Sequence, residues 1–318
     1  MKTVFALVAL IAGALPVCAQ DWPAKPTRIV VPFGAGSTPD IIMRLIADRL
    51  AAKSKQTVVI ENKPGASGNL GTDAVAKAAP DGATVGISIL GPLGLNTLLF
   101  SKMPYDPFTD LAPVTRLTDQ PSVLAVNAEV PAKTTAELIA LLKREPGKFN
   151  YGSIGNGSLS HLAMEAVALK SGTKLVHIPY ASSPQAVTAL IRGDVHVVCL
   201  PAISVVSQMS TSKIRMLAVT TAKRSPFLGD LPTLKEGGVD VEANAWNALI
   251  APAKTPEAVV AAMAREVNEA LRDSGVREKL DAQMIEAIGT SPAELKAFLA
   301  AEMARWTPVV KAAGIKID

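Results

Sequence analysis

Three short turns in this chain carry the residue types that hold an anion. They are Gly34-Ala-Gly-Ser-Thr-Pro-Asp40, Gly65-Ala-Ser-Gly-Asn-Leu-Gly71 and Gly152-Ser-Ile-Gly-Asn-Gly-Ser158. Each leaves a β-branched run and enters an amphipathic stretch. A helix start preceded by glycines offers backbone N–H groups without intrahelical partners, at the positive end of the helix dipole. Gly and Ser are also ordinary turn and cap residues, so each turn taken alone equally describes a plain strand-to-helix connection.

Other candidate chemistry is thin. Ser158 and Ser160 stand beside His161, but no Gly-x-Ser-x-Gly is present and adjacent positions do not make a triad. The glycines also lack the G-x-G-x-x-G order of a dinucleotide site. His161, His177 and His196 do not have metal-ligand spacing. The chain therefore reads as a binding protein rather than an enzyme, with no metal and no cofactor. Of the two cysteines, Cys199 sits in the apolar run Val195–Leu200 and reads as a buried thiol.

The elements that must position these turns lie behind an export signal. Lys2, the apolar run Val4–Leu15 and Val17-Cys-Ala19 fit a cleavable leader over residues 1–20, too short to span a bilayer. Cleavage removes Cys18, so no intrachain disulfide is possible, and the formal charge falls from +4 to +3 with the loss of Lys2. A charge so mild and dispersed does not suggest a nucleic-acid partner, and none is expected.

Strand–helix alternation then runs Arg28–Pro32, Thr38–Ala52, Thr57–Ile60, Asn69–Ala79 and Thr84–Ile89. It restarts with Ser122–Val126, a helix at Thr135–Arg144, a strand at Phe149–Ile154, a helix at Ser158–Ser171, and strands near 175–178, 195–200 and 214–219. This alternation implies α/β architecture with mostly parallel sheets flanked by helices. An internal echo, Val123–Leu138 against Ala248–Val259, marks two crossings. It divides the chain into residues 21–121 plus 246–318 and residues 122–245, joined by two hinge strands. The last helix should bury Leu295, Leu299, Met303, Trp306 and Val310 in the core.

Five ordered motifs carry a family resemblance across essentially the whole mature chain. They are Trp22–Asp40, Glu61–Gly71, Asn150–Leu162, Leu217–Ser225 and Asp230–Thr233. The chain resembles the Bug receptors, the periplasmic solute-binding proteins of tripartite tricarboxylate transporters. The resemblance implies a two-domain clamshell and a small organic acid ligand held in the interdomain cleft. It also implies periplasmic localisation and, as partners, the membrane subunits of a tripartite carrier. An orphan receptor that reports to a sensor kinase is the alternative, and the chain is expected to act as a monomer.

The resemblance places a ligand carboxylate between Phe33, Gly34, Ala35, Gly36 and Ser37 on one side and Ser153, Gly155, Asn156, Gly157 and Ser158 on the other. Asp40 is expected to hold its own loop, with direct ligand contact as the lesser role. His161 either meets the ligand as a neutral donor or fixes its own turn. Ser88 and Gly91 should line the first half of the cleft, and Tyr180, Ser182, Ser183 and Pro201 the second. Where the family often has Lys-Gly-Gly, this chain has Ala181-Ser-Ser183, so a second ligand charge lacks an evident cation unless Arg116 supplies one.

Overall fold

The computed structural model of the chain describes residues 22–317, so the leader at 1–20 lies outside the described residues. β1 (Thr27–Val31) pairs in parallel with β2 (Val58–Asn62) and with β3 (Thr84–Ser88). α1 (Thr38–Ser54) and α2 (Asn69–Ala76) fill the two crossovers. α1 buries Ile42, Met43, Ile46 and Leu50, the spacing of a helix with one covered face.

After the short α3 (Asn96–Leu99), β4 (Leu111–Gln120) completes the run out of the first sheet. Pro121 alone separates it from β5 (Ser122–Asn127), which belongs to the second sheet. That sheet adds β6 (Asn150–Ser153), β7 (Val176–Pro179), β8 (Val197–Pro201) and β9 (Ile214–Val219). Its helices are α4 (Thr135–Arg144), α5 (Leu159–Ser171), α6 (Ser183–Arg192) and α7 (Ala202–Val206). The chain returns to the first sheet at β10 (Ala245–Pro252). It finishes with α8 (Glu257–Arg272), α9 (Ser274–Asp281), β11 (Glu286–Ala287) and α10 (Pro292–Ala313).

Strand order is β11-β4-β10-β3-β1-β2 in the first sheet and β7-β6-β8-β5-β9 in the second. The α/β class stands, but both sheets are mixed rather than mostly parallel. β4 runs out and β10 runs back, so they pair antiparallel, and β5 is antiparallel to both β8 and β9. Strands that leave and return need no helical crossover between them, which frees them to run in opposite directions. β4 is not anticipated by the sequence pattern. Pro113, Arg116 and Asp119 interrupt its apolar run, and two register shifts against β10 absorb the irregularity.

Thr220 ties the two crossings together. Its Oγ1 accepts the Ser122 N–H at 3.2 Å and lies 3.0 Å from the Ala243 carbonyl oxygen. Its own N–H donates to the Ser122 carbonyl at 2.9 Å.

One apolar core continues from the first sheet into the second, with Leu99, Trp306 and Val310 packed in it together with Tyr151, Leu162 and Val167. α10 makes that link. It opens on a reciprocal cap between Ser291 and Glu294 with proline in its first turn. Glu302, 2% exposed, accepts the Trp246 indole N–H at 2.8 Å and the Trp306 indole N–H at 3.4 Å. It also pairs with Arg305 at 2.7 Å. Burial raises its pKa, while these hydrogen bonds and the arginine act in the opposite sense. Glu302 thus fastens α10 to the returning strand β10. Glu302→Ala strands two buried indole donors and should cost about 3 kcal/mol. Urea unfolding would measure this, and a loss below about 0.5 kcal/mol would show the tie to be dispensable.

Candidate functional site

The first and third turns are built to one plan. In the first, β1 ends at Val31 and the loop reaches Gly36 at φ 79°, a conformation that favours glycine. Ser37 then caps α1 from an extended conformation, φ −69° and ψ 157°. The Gly36 N–H donates to the Asp40 carboxylate at 2.9 Å, four residues on. In the third turn, β6 ends at Ser153, Gly157 has φ 71°, and Ser158 caps α5 at φ −65° and ψ 158°. The Gly157 N–H donates to His161 Nδ1 at 3.0 Å, again four residues on. Each turn pins one loop amide to a buried acceptor in the first turn of the following helix.

The two acceptors differ in charge. Asp40 is 2% exposed and receives two bonds from Arg44 at 2.9 Å and one from Asn62 Nδ2 at 2.9 Å. The Asn62 amide also donates to the Phe33 carbonyl at 3.0 Å. The Arg44 hydrogen bonds, aided by those from Gly36 and Asn62, hold its pKa at about 2 against burial. His161 instead lies flat against His177, ring centroids 3.8 Å apart and 11° from parallel. Burial lowers both imidazoles to about 4, so both are neutral at pH 7.

A cavity of about 510 Å³ lies between the two sheets. Of the expected residues, Phe33, Ser37, Gly91, Asn156, Gly157, Ser158 and Pro201 line it. Ser37 Oγ has no hydrogen-bond partner among the described residues. Ser158 Oγ accepts the His161 N–H at 3.3 Å and donates to the Gly155 carbonyl at 2.7 Å. No charged side chain belongs to the described lining. The helix starts and neutral polar groups therefore supply its electrostatics.

The remaining expected residues are placed elsewhere, each for a local reason. Gly34, Ala35 and Gly36 are exposed loop residues off the cavity wall, and Asp40 is turned into that same loop. Ser88 is fully buried at 3.0 Å from Thr72 Oγ1. Ser153 and Gly155 lie behind the wall, with Ser153 Oγ 2.6 Å from His177 Nε2 and accepting the Gly155 N–H at 3.1 Å. His161 fixes its turn from behind and does not line the cavity. Tyr180 lines a separate groove with Arg192 and Asp194. Ser182 and Ser183 cap and begin α6, a helix that the sequence pattern does not anticipate. Arg116 pairs with Asp119 and sits 3.9 Å over the Phe298 ring, so it brings no cation to the cavity. Burial pushes the Cys199 thiol up to about 12, which leaves it inert.

Sequence reasoning missed the floor of the cavity. Gln120 and Ser122 flank the outward crossing, while Asn244, Trp246 and Asn247 come from the return. Ile317 closes one side, with its N–H donating to the Leu99 carbonyl at 3.0 Å. The echo marks the two crossings, but no local pattern shows that they meet at a cavity or which strand faces point into it. Ser67, from the second Gly-rich turn, reaches the cavity edge.

Two α/β sheets with a cavity of this size between them form an architecture suited to holding a small solute. A family model described as "Tripartite tricarboxylate transporter family receptor" matches residues 42–315, and the chain belongs to that family. It is 34% identical over 306 residues to Protein BugT of Bordetella pertussis, covering 96% of this chain and 94% of that one. An R. palustris protein solved with adipate has 36% identity and a TM-score of 0.79, covering 93% of this chain and all (100%) of that one. MatC from Rhodopseudomonas palustris, solved with malate, has 31% identity and a TM-score of 0.75, covering 91% and 100%. The family is one of periplasmic solute-binding receptors, and among the described residues no helix is long and apolar enough to cross a membrane.

Asp40 yields a test of the first turn. Its pKa is depressed from 3.8 to about 2, so the stability it contributes is whole above about pH 4 and is lost as pH falls toward 2. Asp40→Asn should lower stability at pH 7 by about 2 kcal/mol. It should also flatten the acid limb of a thermal-unfolding series, and a limb unchanged in the variant would contradict the assignment.

Proposed function

We propose that this chain captures a small organic carboxylate between two lobes, residues 21–121 with 246–318 and residues 122–245. In this reading it is a periplasmic monomer freed of its leader, and it delivers the ligand to the membrane subunits of a tripartite carrier. The carrying observation is that two helix starts of one design, from different sheets, reach a single cavity with Ser37 on one side and Ser158 on the other. Such starts favour an anion through unpaired N–H groups and the helix dipole. The relatives solved with adipate and malate support the ligand class.

The wall favours a ligand with one charge. Ala181–Ser183, from which that expectation arose, does not reach the cavity, but the described lining has no cation of its own. Burying an unpaired second carboxylate there is strongly unfavourable. Phe33, Leu95 and Trp246 instead offer apolar surface to a ligand body.

Thermal shift of the mature protein against a carboxylate library tests the class, because a ligand bound only by the folded state raises stability. A library without a single stabilising acid would overturn the reading. Ser158→Ala should weaken the acid so found by roughly 10-fold or more, the value of about 1.5–3 kcal/mol for a bond to a charged group, once the hydroxyl turns from the Gly155 carbonyl to the ligand. Full retained affinity would remove Ser158 from the site.

Charge number is decided by calorimetric titration of hexanoate and adipate, which share a skeleton. Hexanoate should bind at least as well. Adipate binding more than about tenfold tighter, or ~1.4 kcal/mol, would refute the single-charge proposal.

A further inference from the structure

The third turn rests on a cluster that ligand contact does not use. Tyr151 from β6, His177 from β7, and His161 and Glu165 from α5 meet directly behind the loop 154–158. Tyr151 stacks on His177 at 4.9 Å and donates its hydroxyl to Glu165 at 2.5 Å. His177 Nε2 lies 2.6 Å from Ser153 Oγ, which accepts the Gly155 N–H. His161 Nδ1 accepts the Gly157 N–H, so in the neutral ring the proton sits on Nε2, 4.0 Å from Glu165 Oε1. Two amides of the ligand loop are therefore held by a chain of contacts that ends on the imidazole pair.

We propose that His161 is the positioning residue of the second ligand turn, and that it works only as a neutral imidazole whose Nδ1 lone pair holds Gly157. Protonation puts a hydrogen on Nδ1, and the same atom can no longer accept the Gly157 N–H. It also places a positive charge 3.8 Å from the His177 ring. Relief is scarce. Glu165 is the carboxylate facing the pair, and it already holds the Tyr151 hydroxyl. β8 brings Cys199 into the same core as a neutral thiol, and α10 brings Trp306, Val309 and Val310. Burial sets the titration near pH 4 for both rings. Asp40, the counterpart in the first turn, keeps its acceptor to about pH 2, so acidification releases the second turn first.

The role in ligand affinity rests on the carboxylate-receptor reading, but the loop's dependence on His161 does not. The first arm therefore uses ligand-free protein. Nitrogen-15 NMR from pH 7.5 to pH 4 should show the Gly157 amide moving with the protonation of His161. His161→Asn puts an oxygen acceptor close to the position of Nδ1 and does not titrate, so the Gly157 amide should then lose that pH response. A Gly157 signal with the same pH response in both proteins overturns the proposal.

The second arm titrates hexanoate. His161→Leu should bind at least tenfold more weakly at pH 7, and His161→Asn should recover most of that loss. His161→Asn should also lose less hexanoate affinity than the wild type between pH 7 and pH 4, where about half of His161 is protonated and ligand protonation is common to both. Leu and Asn variants equally weak, with parallel pH profiles, would reduce His161 to a packing role and overturn the proposal. Should the wild type bind no carboxylate, the receptor reading fails and the NMR arm alone decides this one.

Discussion

The site depends on one repeated hydrogen bond, from a glycine amide in a left-handed conformation to an acceptor four residues on in the next helix. The anion-facing role proposed for these turns requires free N–H groups at the helix starts on a loop that does not drift. Pinning one neighbouring amide from behind resolves the conflict, and both turns do so with near-identical cap dihedrals. The surrounding structure follows from making each acceptor tolerable when buried. A buried carboxylate needs compensation, and Asp40 finds it in Arg44 one helical turn along and in Asn62 on β2. The imidazole needs none, but it must be kept neutral, and a stack of His177 and Tyr151 rings supplies the apolar cover. Each pin thereby binds a whole strand–helix–strand unit to the loop it serves.

Leaving formal charge out of the cavity wall has a mechanistic use. A lysine in a site of low dielectric would attract every small acid strongly and would itself be costly when the site is empty. Dipoles and hydroxyls fixed in position attract a carboxylate only where its oxygens meet the donors. In the proposed reading, affinity would come jointly from that fit and from apolar contact with the ligand body, for which Trp246 in the wall is placed. The Trp246 ring is held by its indole bond to Glu302 on α10, so a cavity contact is anchored in the last helix of the chain.

What was legible in the sequence was local. The cradle turns, their glycines and their caps could be read because the conformational demands of a turn are met within a few residues. Thr135–Arg144 and Ile214–Val219 likewise match their elements from end to end. Long-range pairing was not legible. Nothing near Leu111–Gln120 announces an antiparallel partner more than 120 residues later, so the sheets read as more parallel than they are. Ser182 and Ser183 read as pocket hydroxyls in the sequence because no local signal announces the helix they start. His161 and His177, sixteen positions apart, come face to face only because β6 and β7 are neighbours.

The position of the cavity bears on how capture and lobe movement are coupled. Gln120 and Ser122 flank Pro121, and Asn244 with Ala245 marks the return, and all four line the cavity. A ligand seated between the cradles thus touches the segments about which the lobes would turn. A ligand shifts a conformational equilibrium only through contacts that differ between the two states. In the two-lobe reading proposed above, bending at the crossings would bring the two cradles together or apart and would move the floor less. The floor would then contribute binding common to both states, and the cradles the difference that favours closure. Thr220, bonded to Ser122 and to Ala243, joins the two crossing segments. In that reading the polar residues of the floor would bear on which ligand is held, and the paired helix starts on whether its arrival closes the lobes.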